Sequence, residues 1–243
     1  MKGIKDKRIL ITGGSSGIGL ATVKLLLNEG AKVATCCNSN FENIQYLEGD
    51  NFKIYNEDLS KEKIAKNLVK KFIKHYGGID ILISNAGTIS SHNYLELEKK
   101  DFLDLMDLNF FTPYFLIRDA FNYMKNHNGG KIIIISSISI KYGGHDKTLH
   151  YVVSKCGLEV MMKRFSKEGA KYNILVNCIR PGFIDTPIHN KLGRTKKDKE
   201  KRINLISLKR AGKPEEIAGL ILYLVSDYGN FCTGEIFTVS GGD

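Results

Sequence analysis

The sequence predicts an α/β protein built on a parallel sheet, and three observations support this fold class. Short apolar segments rich in β-branched residues alternate with longer segments of helical periodicity along all 243 residues. The short segments show little polar alternation, as expected for strands buried on both faces of a parallel sheet. Hydrophobic residues make up 42% of the chain, which is enough for one ordinary globular core.

Seven strands are expected, and each is a short apolar run. The strongest is the segment 131–136, which contains four consecutive isoleucines. β-Branched side chains favour strands because they pack well on a pleated surface. The predicted strands are residues 8–12, 31–36, 52–55, 79–84, 131–136, 174–179 and 236–239.

The predicted helices lie between these strands. Gly30 and Gly77 follow the first two, at positions where helices commonly end. Pro113 lies inside the third, and it would either break that helix or begin a second one. The segment 38–51 has room for only a few helical turns. The predicted helices are residues 18–29, 61–76, 101–125, 151–172 and 214–225.

This order of elements predicts a doubly wound parallel sheet, the Rossmann fold, in one domain spanning residues 1–243. Right-handed crossovers between parallel strands place helices on both faces of such a sheet. The segment 183–208 interrupts the alternation because it is polar and rich in lysine. We expect it to form a variable loop that covers the substrate.

Composition narrows the classes of ligand. A formal charge of +10 would suit a nucleic acid or an acidic ligand, but no helix-turn-helix or zinc-finger pattern accompanies it. Five scattered cysteines without C-x-x-C spacing argue against a disulfide framework and a zinc site. We therefore expect neither a nucleic acid nor a metal ion as a ligand.

The sequence also lacks the pattern of a membrane span or a secretion signal. No apolar run reaches the ~18 residues that cross a bilayer. The apolar stretch after the basic N-terminus, residues 9–11, is shorter than the ~7–15 residues of a signal-peptide core. We expect a cytoplasmic protein that does not bind membranes.

A glycine-rich turn, Thr12-Gly-Gly-Ser-Ser-Gly-Ile-Gly19, joins the first predicted strand to the first helix. Glycines let the backbone approach a pyrophosphate closely, and the helix N-terminus presents free N–H groups to it. The spacing is G-x-x-x-G-x-G, which departs from the common G-x-G-x-x-G fingerprint. Its position between strand and helix favours a nucleotide site over an ordinary tight turn.

Further motifs follow in a fixed order. They are Asn85-Ala-Gly87, then Asn109, Ser137, Tyr151 and Lys155, then Arg180-Pro-Gly-Phe-Ile-Asp-Thr186, then residues 210–218 and 240–242. With the glycine turn, this set resembles the short-chain dehydrogenase/reductase family, most closely its 3-oxoacyl-(acyl-carrier-protein) reductases. The family more often has Asp where Ser240 stands. The resemblance implies hydride transfer between NAD(P)(H) and a carbonyl or alcohol carbon.

Tyr151 and Lys155 are the expected acid/base pair. They are four residues apart, so on a helix they share one face. A neighbouring ammonium stabilises a phenolate and lowers the pKa of a tyrosine below its usual value of about 10. Tyr151 could then exchange a proton with the substrate oxygen near neutral pH. Most such pairs are surface contacts, but this one follows a dinucleotide turn.

The resemblance implies that Ser137 hydrogen-bonds the substrate oxygen and Tyr151. Its neighbour Ser136 is expected only to cap a loop. Asn109 would mark a helix kink and hold a water that links Lys155 to solvent; an ordinary exposed asparagine is the alternative.

Two histidines, His145 and His150, flank the same loop. We expect them to be loop residues rather than substrate contacts.

The resemblance also implies a set of cofactor contacts. Asp58 is expected near the adenine, although it could instead cap the helix beginning at residue 61, for which Ser60 is the better cap. The expected contacts are Gly13, Ser15, Ser16, Gly17, Ile18, Gly19, Asn38, Ser39, Asp58, Leu59, Asn85, Ala86, Gly87, Tyr151, Lys155, Pro181, Gly182, Ile184 and Thr186.

The end of the second strand favours NADP(H) over NAD(H). An acidic residue there would bind the ribose hydroxyls and repel a 2′-phosphate. The segment 34–40 has no carboxylate, and the first one after it is Glu42. Asn38 and Ser39 can donate hydrogen bonds to a phosphate, although no arginine accompanies them.

The expected substrate is a 3-oxoacyl thioester, and a sugar, a steroid or a small ketone is the alternative. Basic residues crowd the segment 183–208 and could attract an acidic carrier protein or a phosphate-bearing acyl group, or form a solvated lid. They are Lys191, Arg194, Lys196, Lys197, Lys199, Lys201 and Arg202.

Two further expectations concern function class and assembly. A cofactor-binding regulatory protein without catalysis is the alternative from another class, and the intact catalytic set argues against it. The resemblance implies that helices 101–125 and 151–172 pair with their copies in a homodimer or homotetramer. Four phenylalanines fit that interface, with burial inside the monomer as the alternative: Phe110, Phe111, Phe115 and Phe121.

Overall fold

Strands and helices alternate along the chain in the predicted order. The computed structural model describes residues 1–193 and 195–243, so Arg194 of the predicted loop lies outside the described residues. The strands are β1 (Arg8–Thr12), β2 (Lys32–Cys37), β3 (Phe52–Asn56), β4 (Ile81–Ser84), β5 (Gly130–Ile135), β6 (Ile174–Pro181) and β7 (Ile236–Val239). The helices are α1 (Gly17–Asn28), α2 (Glu42–Gln45), α3 (Glu62–Tyr76), α4 (Lys99–Met106), α5 (Thr112–Lys125), α6 (Leu149–Gly169), α7 (Lys196–Leu205) and α8 (Pro214–Val225).

The seven strands form one parallel sheet in the order β3-β2-β1-β4-β5-β6-β7. The strand order reverses between β1 and β4, which pair directly, with Leu10 opposite Leu82. This arrangement confirms the predicted doubly wound α/β fold. In such sheets, ligands bind in the crevice at the carboxyl ends of the strands beside the reversal.

The four isoleucines of β5 show how both faces of the sheet are buried. Ile132 and Ile134 pack in the cluster formed with α3, α5 and α6. Ile133 and Ile135 point to the opposite face and pack in the cluster formed with α1 and α8. Each is at most 5% exposed, and burying such a side chain stabilises the fold by roughly 1.5–3 kcal/mol. The core therefore holds the carboxyl end of β5 firmly.

The predicted helix 101–125 is two helices separated by a turn of π-helix. Asp107–Phe111 forms this turn between α4 and α5. Pro113 lies in the first turn of α5, where its missing N–H has no helical partner to lose. Of the two roles predicted for Pro113, it therefore begins the second helix.

The segment 183–208 is more ordered than the sequence predicts. It contains a 3₁₀ turn, Pro187–Leu192, and helix α7. The Thr195 amide donates to Asp198 Oδ2 at 3.0 Å, and the Asp198 amide donates to Thr195 Oγ1 at 3.2 Å. The prediction of a loop throughout is therefore wrong, because a capping box starts a helix that has no apolar face to reveal it.

Over residues 1–193 and 195–243, no helix has the length and apolar character needed to cross a membrane. The same residues contain no cluster of His, Cys, Asp and Glu side chains arranged to hold a metal ion.

Candidate active site

A cleft of about 600 Å³ opens at the carboxyl ends of the strands. Its size suits a nucleotide cofactor with a substrate beside it. Every residue expected to contact the cofactor lines this cleft, as does Ser137. Asn109 is buried and does not line the cleft.

The glycine turn brings backbone atoms into contact where side chains would not fit. Gly13 and Gly17 have positive φ angles of 70° and 51°, which favour glycine. A Cβ atom on Gly19 would lie 2.1 Å from the Gly13 carbonyl oxygen. The turn therefore leaves a cradle at the N-terminus of α1, and this shape fits the pyrophosphate of a dinucleotide.

Thr12 fastens the glycine turn to the turn after β4. It is 1% exposed, and its hydroxyl accepts hydrogen bonds from the amides of Asn85, at 3.1 Å, and Ala86, at 3.0 Å. In return, Asn85 Nδ2 donates to the Thr12 carbonyl at 2.9 Å. The two turns that flank the reversal in strand order are thus fixed relative to each other. No separate role for Thr12 was predictable from its place in the glycine turn.

The corner after β2 carries the residues predicted to select the cofactor. Asn38 and Ser39 are exposed at the cleft. Ser15 Oγ donates to the Ser39 carbonyl at 2.8 Å, which joins this corner to the glycine turn. Cys37 is 7% exposed, and burial raises the pKa of its thiol. The thiol is therefore neutral at physiological pH and would not repel a phosphate.

Asp58 lines the cleft and closes a short turn. Its Oδ1 accepts hydrogen bonds from the Ser60 amide at 3.0 Å and the Ser60 hydroxyl at 2.7 Å. Helix α3 begins beyond them, with Lys61 at its N-cap, and no side chain caps it within the described part of the chain. Both capping alternatives are therefore wrong.

Tyr151 and Lys155 lie on one face of α6, against the end of β5. They are 8% and 5% exposed. Lys155 Nζ donates to the Ile135 carbonyl at 3.0 Å and lies 5.9 Å from the centre of the Tyr151 ring. The nearby Ser137 hydroxyl acts to lower the pKa of the Tyr151 phenol. The structure thus brings the three side chains together.

Burial dominates the protonation of this group. It raises the pKa of Tyr151, because the Ser137 hydroxyl only partly offsets the loss of water. It lowers the pKa of Lys155 to about 8. The expected decrease in the pKa of Tyr151 is therefore wrong in this structure, where burial of the phenol has the largest effect.

The two neighbouring serines differ from expectation. Ser137 accepts a hydrogen bond from the Ser139 amide at 3.2 Å and so caps the turn that follows it. Ser136 instead donates across to Glu159 Oε1 on α6, at 2.8 Å. The prediction that Ser136 only caps a loop is wrong, and its bond to Glu159 could not be read from spacing alone.

Asn109 is fully buried in the π turn, so the exposed alternative is wrong. Its Oδ1 accepts from the Thr88 amide, and its Nδ2 donates to the Thr88 carbonyl, both at 2.8 Å. A Cβ on Gly87 would lie 3.2 Å from Lys155 Nζ and 3.3 Å from Asn109 Oδ1. Asn109 therefore holds the segment that passes over Lys155.

His150 is not a loop residue, because it lies in the first turn of α6 and is fully buried. Its Nε2 is 2.6 Å from Ser90 Oγ. Burial lowers its pKa. It stands outside the lining of the cleft, whereas His145 is exposed and pairs with Asp146.

The segment 183–208 lines part of the cleft, and two of its predicted basic residues, Lys191 and Arg202, are among the lining residues. Lys191 Nζ reaches across the cleft and donates to Thr88 Oγ1 at 2.8 Å. Arg202 of α7 also lines the cleft and pairs with Asp243. Thr88 follows directly after the Asn85-Ala-Gly87 motif, and this adjacency was the signal available for it. The lining also includes Ile89 beside Thr88, two residues after β5 and four of the segment 183–208: Ile138, Ser139, Phe183, Ile188, His189 and Leu192.

Three comparisons bear on this site. A protein-family model described as an enoyl-(acyl carrier protein) reductase matches residues 13–243. The 3-oxoacyl-(acyl-carrier-protein) reductase FabG of Thermotoga maritima is 36% identical, over 98% of this chain and 98% of its own.

Solved structures have the same fold. A short chain dehydrogenase from Burkholderia cenocepacia, in complex with NADP, matches with a TM-score of 0.90 and 24% identity over 98% of each chain. A blue fluorescent protein from a metagenomic library, in complex with NADPH, matches with a TM-score of 0.90 and 27% identity over 99% of each chain.

Proposed function

The chain belongs to the short-chain dehydrogenase/reductase family and is an oxidoreductase that uses NAD(P)(H) on carbonyl or CH–OH groups, and on that premise we propose that it reduces 3-oxoacyl thioesters with NADPH. The observation that carries the proposal is the convergence of Ser137, Tyr151 and Lys155 at one side of the glycine-lined cleft. Hydride addition to a carbonyl leaves an alkoxide that needs a proton, and these side chains offer donors for it.

In this mechanism, Tyr151 is the general acid and Ser137 orients the substrate. Pro181 and Gly182, which line the cleft, would help to hold the reduced nicotinamide, and this group would supply the hydride. Ser137 donates a hydrogen bond to the substrate oxygen, and Tyr151 transfers its phenolic proton there. Because burial raises the pKa of Tyr151, the phenol keeps its proton until the alkoxide forms.

Lys155 has two roles in the proposal. Its ammonium would bind the nicotinamide ribose, and its charge stabilises the phenolate that forms when Tyr151 gives up its proton. Asn109 keeps the segment at Thr88 in place above Lys155, and a water held there would return the proton from solvent. The observed hydrogen bonds between Asn109 and Thr88 support a positioning role.

We further propose that the protein prefers NADPH to NADH. The neutral thiol of Cys37 and the exposed side chains of Asn38 and Ser39 support it, since none of them repels a 2′-phosphate. The NADPH bound in one structural neighbour is consistent with this assignment.

The acyl group would reach the site along the segment 183–208, which we propose covers the substrate. Lys191 and Arg202 line the cleft, and Lys196, Lys197 and Lys201 are exposed on α7. Positive charge at this rim would attract an acidic carrier protein or the phosphate of a thioester arm. The name of the Thermotoga maritima relative supports a carrier-bound substrate.

The test is NADPH oxidation with acetoacetyl-CoA, alongside a panel with a sugar, a steroid and a small ketone. We expect the thioester to give the highest kcat/KM. Faster turnover of another carbonyl class would contradict the proposed substrate. Tight binding of NADPH without turnover of any carbonyl would instead favour the regulatory alternative.

A further inference from the structure

Glu159 is a buried carboxylate that the mechanism above does not use. It lies on α6, one helical turn beyond Lys155 and two beyond Tyr151, and so on the same face of the helix. It is 7% exposed. A buried carboxylate is costly unless it is paired and hydrogen-bonded, so its partners indicate its role.

The partners of Glu159 lie at the ends of two adjacent strands. Arg180 binds it in a fork, with Nε 2.9 Å from Oε1 and Nη2 2.6 Å from Oε2. Ser136 Oγ donates to Oε1 at 2.8 Å. Ser136 follows β5, and Arg180 directly precedes the Pro181–Gly182 turn in β6. One carboxylate thus joins the catalytic helix to both strand ends.

Three consecutive residues at the end of β5 each interact with one residue of α6, and these helix residues are one turn apart. The Ile135 carbonyl accepts a hydrogen bond from Lys155. The Ser137 hydroxyl acts on the Tyr151 phenol, whose pKa it lowers. The third contact joins Ser136 to Glu159. Two of these contacts involve groups proposed to react or to bind the cofactor. Only the contact of Glu159 is free to serve as a fixed anchor.

The charge of Glu159 acts in the same buried space as that of Lys155. The Cys178 thiol, which is fully buried, responds to both charges. Its pKa is raised to about 12, chiefly by burial and also by the Glu159 carboxylate, while the Lys155 ammonium acts to lower it. In such a space, electrostatic effects are stronger than in water.

We propose that Glu159 is a positioning residue: through Ser136 and Arg180 it fixes Tyr151 and Lys155 against the strand ends that carry Ser137 and the Pro181–Gly182 turn. The inference rests on the proposed reaction. A shift of the reacting groups by about 1 Å costs up to ~100-fold in rate, so a rigid anchor at this point matters for turnover.

A second ion pair of the same geometry provides a matched control. Arg8 binds Asp80 in a fork, with Nε 2.9 Å from Oδ2 and Nη2 2.6 Å from Oδ1. This pair joins the start of β1 to the residue before β4, at the opposite end of the sheet from the cleft. Its loss should destabilise the fold without moving the reacting groups.

The first experiment compares Glu159→Gln with Asp80→Asn under steady-state turnover of acetoacetyl-CoA and NADPH. We expect Glu159→Gln to lower kcat roughly 10- to 100-fold. Its KM for the thioester should stay within about threefold, because ground-state binding is little changed. Asp80→Asn should retain the parent kcat. A parent-like kcat in Glu159→Gln would overturn the inference.

The second experiment needs no carbonyl substrate, so it remains valid if the proposed substrate is wrong. NADPH binding is followed by cofactor fluorescence across pH 6–10 in the parent and in Glu159→Gln. Loss of the carboxylate leaves the Arg180 guanidinium unpaired, which disfavours the Lys155 ammonium. We expect the pH midpoint of binding to move below that of the parent, and an unchanged midpoint would contradict the inference.

Ser136→Ala guards against failure of Glu159→Gln to fold. It removes one hydrogen bond and keeps the pair between Glu159 and Arg180, so the fold should persist. We expect kcat to fall several-fold, because one hydrogen bond of the anchor is lost. A parent-like kcat in this variant would overturn the anchoring role of Ser136.

Discussion

Burial has the largest effect on the protonation states of Lys155 and Tyr151. Removal from water favours the neutral form of each side chain, which lowers the pKa of the lysine to about 8 and raises that of the tyrosine. The tyrosine is therefore ready to donate a proton, whereas the lysine ammonium depends on pH. Two predictions at the scale of single residues follow from the charges in the cleft.

The first concerns NADPH affinity and pH. Because the pKa of Lys155 is about 8, its ammonium is present below that pH and is lost above it. We expect NADPH binding to weaken as pH rises from 7 to 9. Lys155→Met should bind weakly at both values. Lys131 is the control. Burial also lowers its pKa to about 8, but its ammonium donates to carbonyls at the end of α8 and does not line the cleft. Retention of the pH dependence in Lys155→Met would contradict the assignment.

The second concerns cofactor choice. We expect the parent to bind NADPH more tightly than NADH by about 1–3 kcal/mol, the scale of charge-assisted hydrogen bonds. Moderately raised salt should narrow the difference because it screens the phosphate charge. Cys37→Asp should reverse the preference by repelling the phosphate and accepting from the ribose hydroxyls. Fluorescence titration of both cofactors decides this, and tighter NADH binding by the parent would refute the interpretation.

At the scale of elements, the glycine turn before α1 was predictable and helix α7 was not. The turn can be recognised in the sequence because only glycine permits its close backbone contacts. Helix α7 carries the Thr195-x-x-Asp198 signal of a capping box, but it has no apolar face to mark it as a helix. The contacts among Ser136, Glu159 and Arg180 could not be predicted either, because they depend on how α6 packs on β5 and β6.

The glycine turn gives the sharpest prediction at this scale. In Gly19→Ala, the new Cβ would lie 2.1 Å from the Gly13 carbonyl oxygen, so the turn must move and NADPH binding should be lost. Gly219 of α8 is the control, since a Cβ there meets nothing within 4 Å among the described residues. Gly219→Ala should stabilise the helix by roughly 0.5–1 kcal/mol and leave binding unchanged. Parent-like NADPH affinity in Gly19→Ala would show that the turn does not hold the cofactor.

At the scale of the whole molecule, the sheet order and the position of the cleft followed from the alternation of elements. The assembly of the protein is harder to predict from the sequence. Phe121 is 6% exposed and Phe110 packs on Gly157, so for these two residues burial inside the monomer accounts for the side chain. Exposed apolar residues nevertheless occur on α4 and α6 and between α4 and α5. They are Leu103, Phe111, Val153 and Val160.

We propose that this surface pairs with its copy in a homodimer or homotetramer. Exposed apolar residues gathered on neighbouring elements favour an interface. Light scattering at micromolar concentration should give a mass of two or four chains. Val160→Lys should reduce that mass because it places a charge on a side chain that is 67% exposed on α6. A monomer in the parent would contradict the proposal.

The most direct test of the central claim is the turnover of Tyr151→Phe with NADPH and acetoacetyl-CoA. The substitution keeps the buried ring and removes the transferable proton. We predict a kcat lower by ~10²–10⁴-fold, with NADPH affinity and thermal stability close to those of the parent. Tyr228→Phe, on an exposed tyrosine remote from the cleft lining, is the control and should behave like the parent. Turnover by Tyr151→Phe at the parent rate would contradict Tyr151 as the proton donor and with it the account of this site.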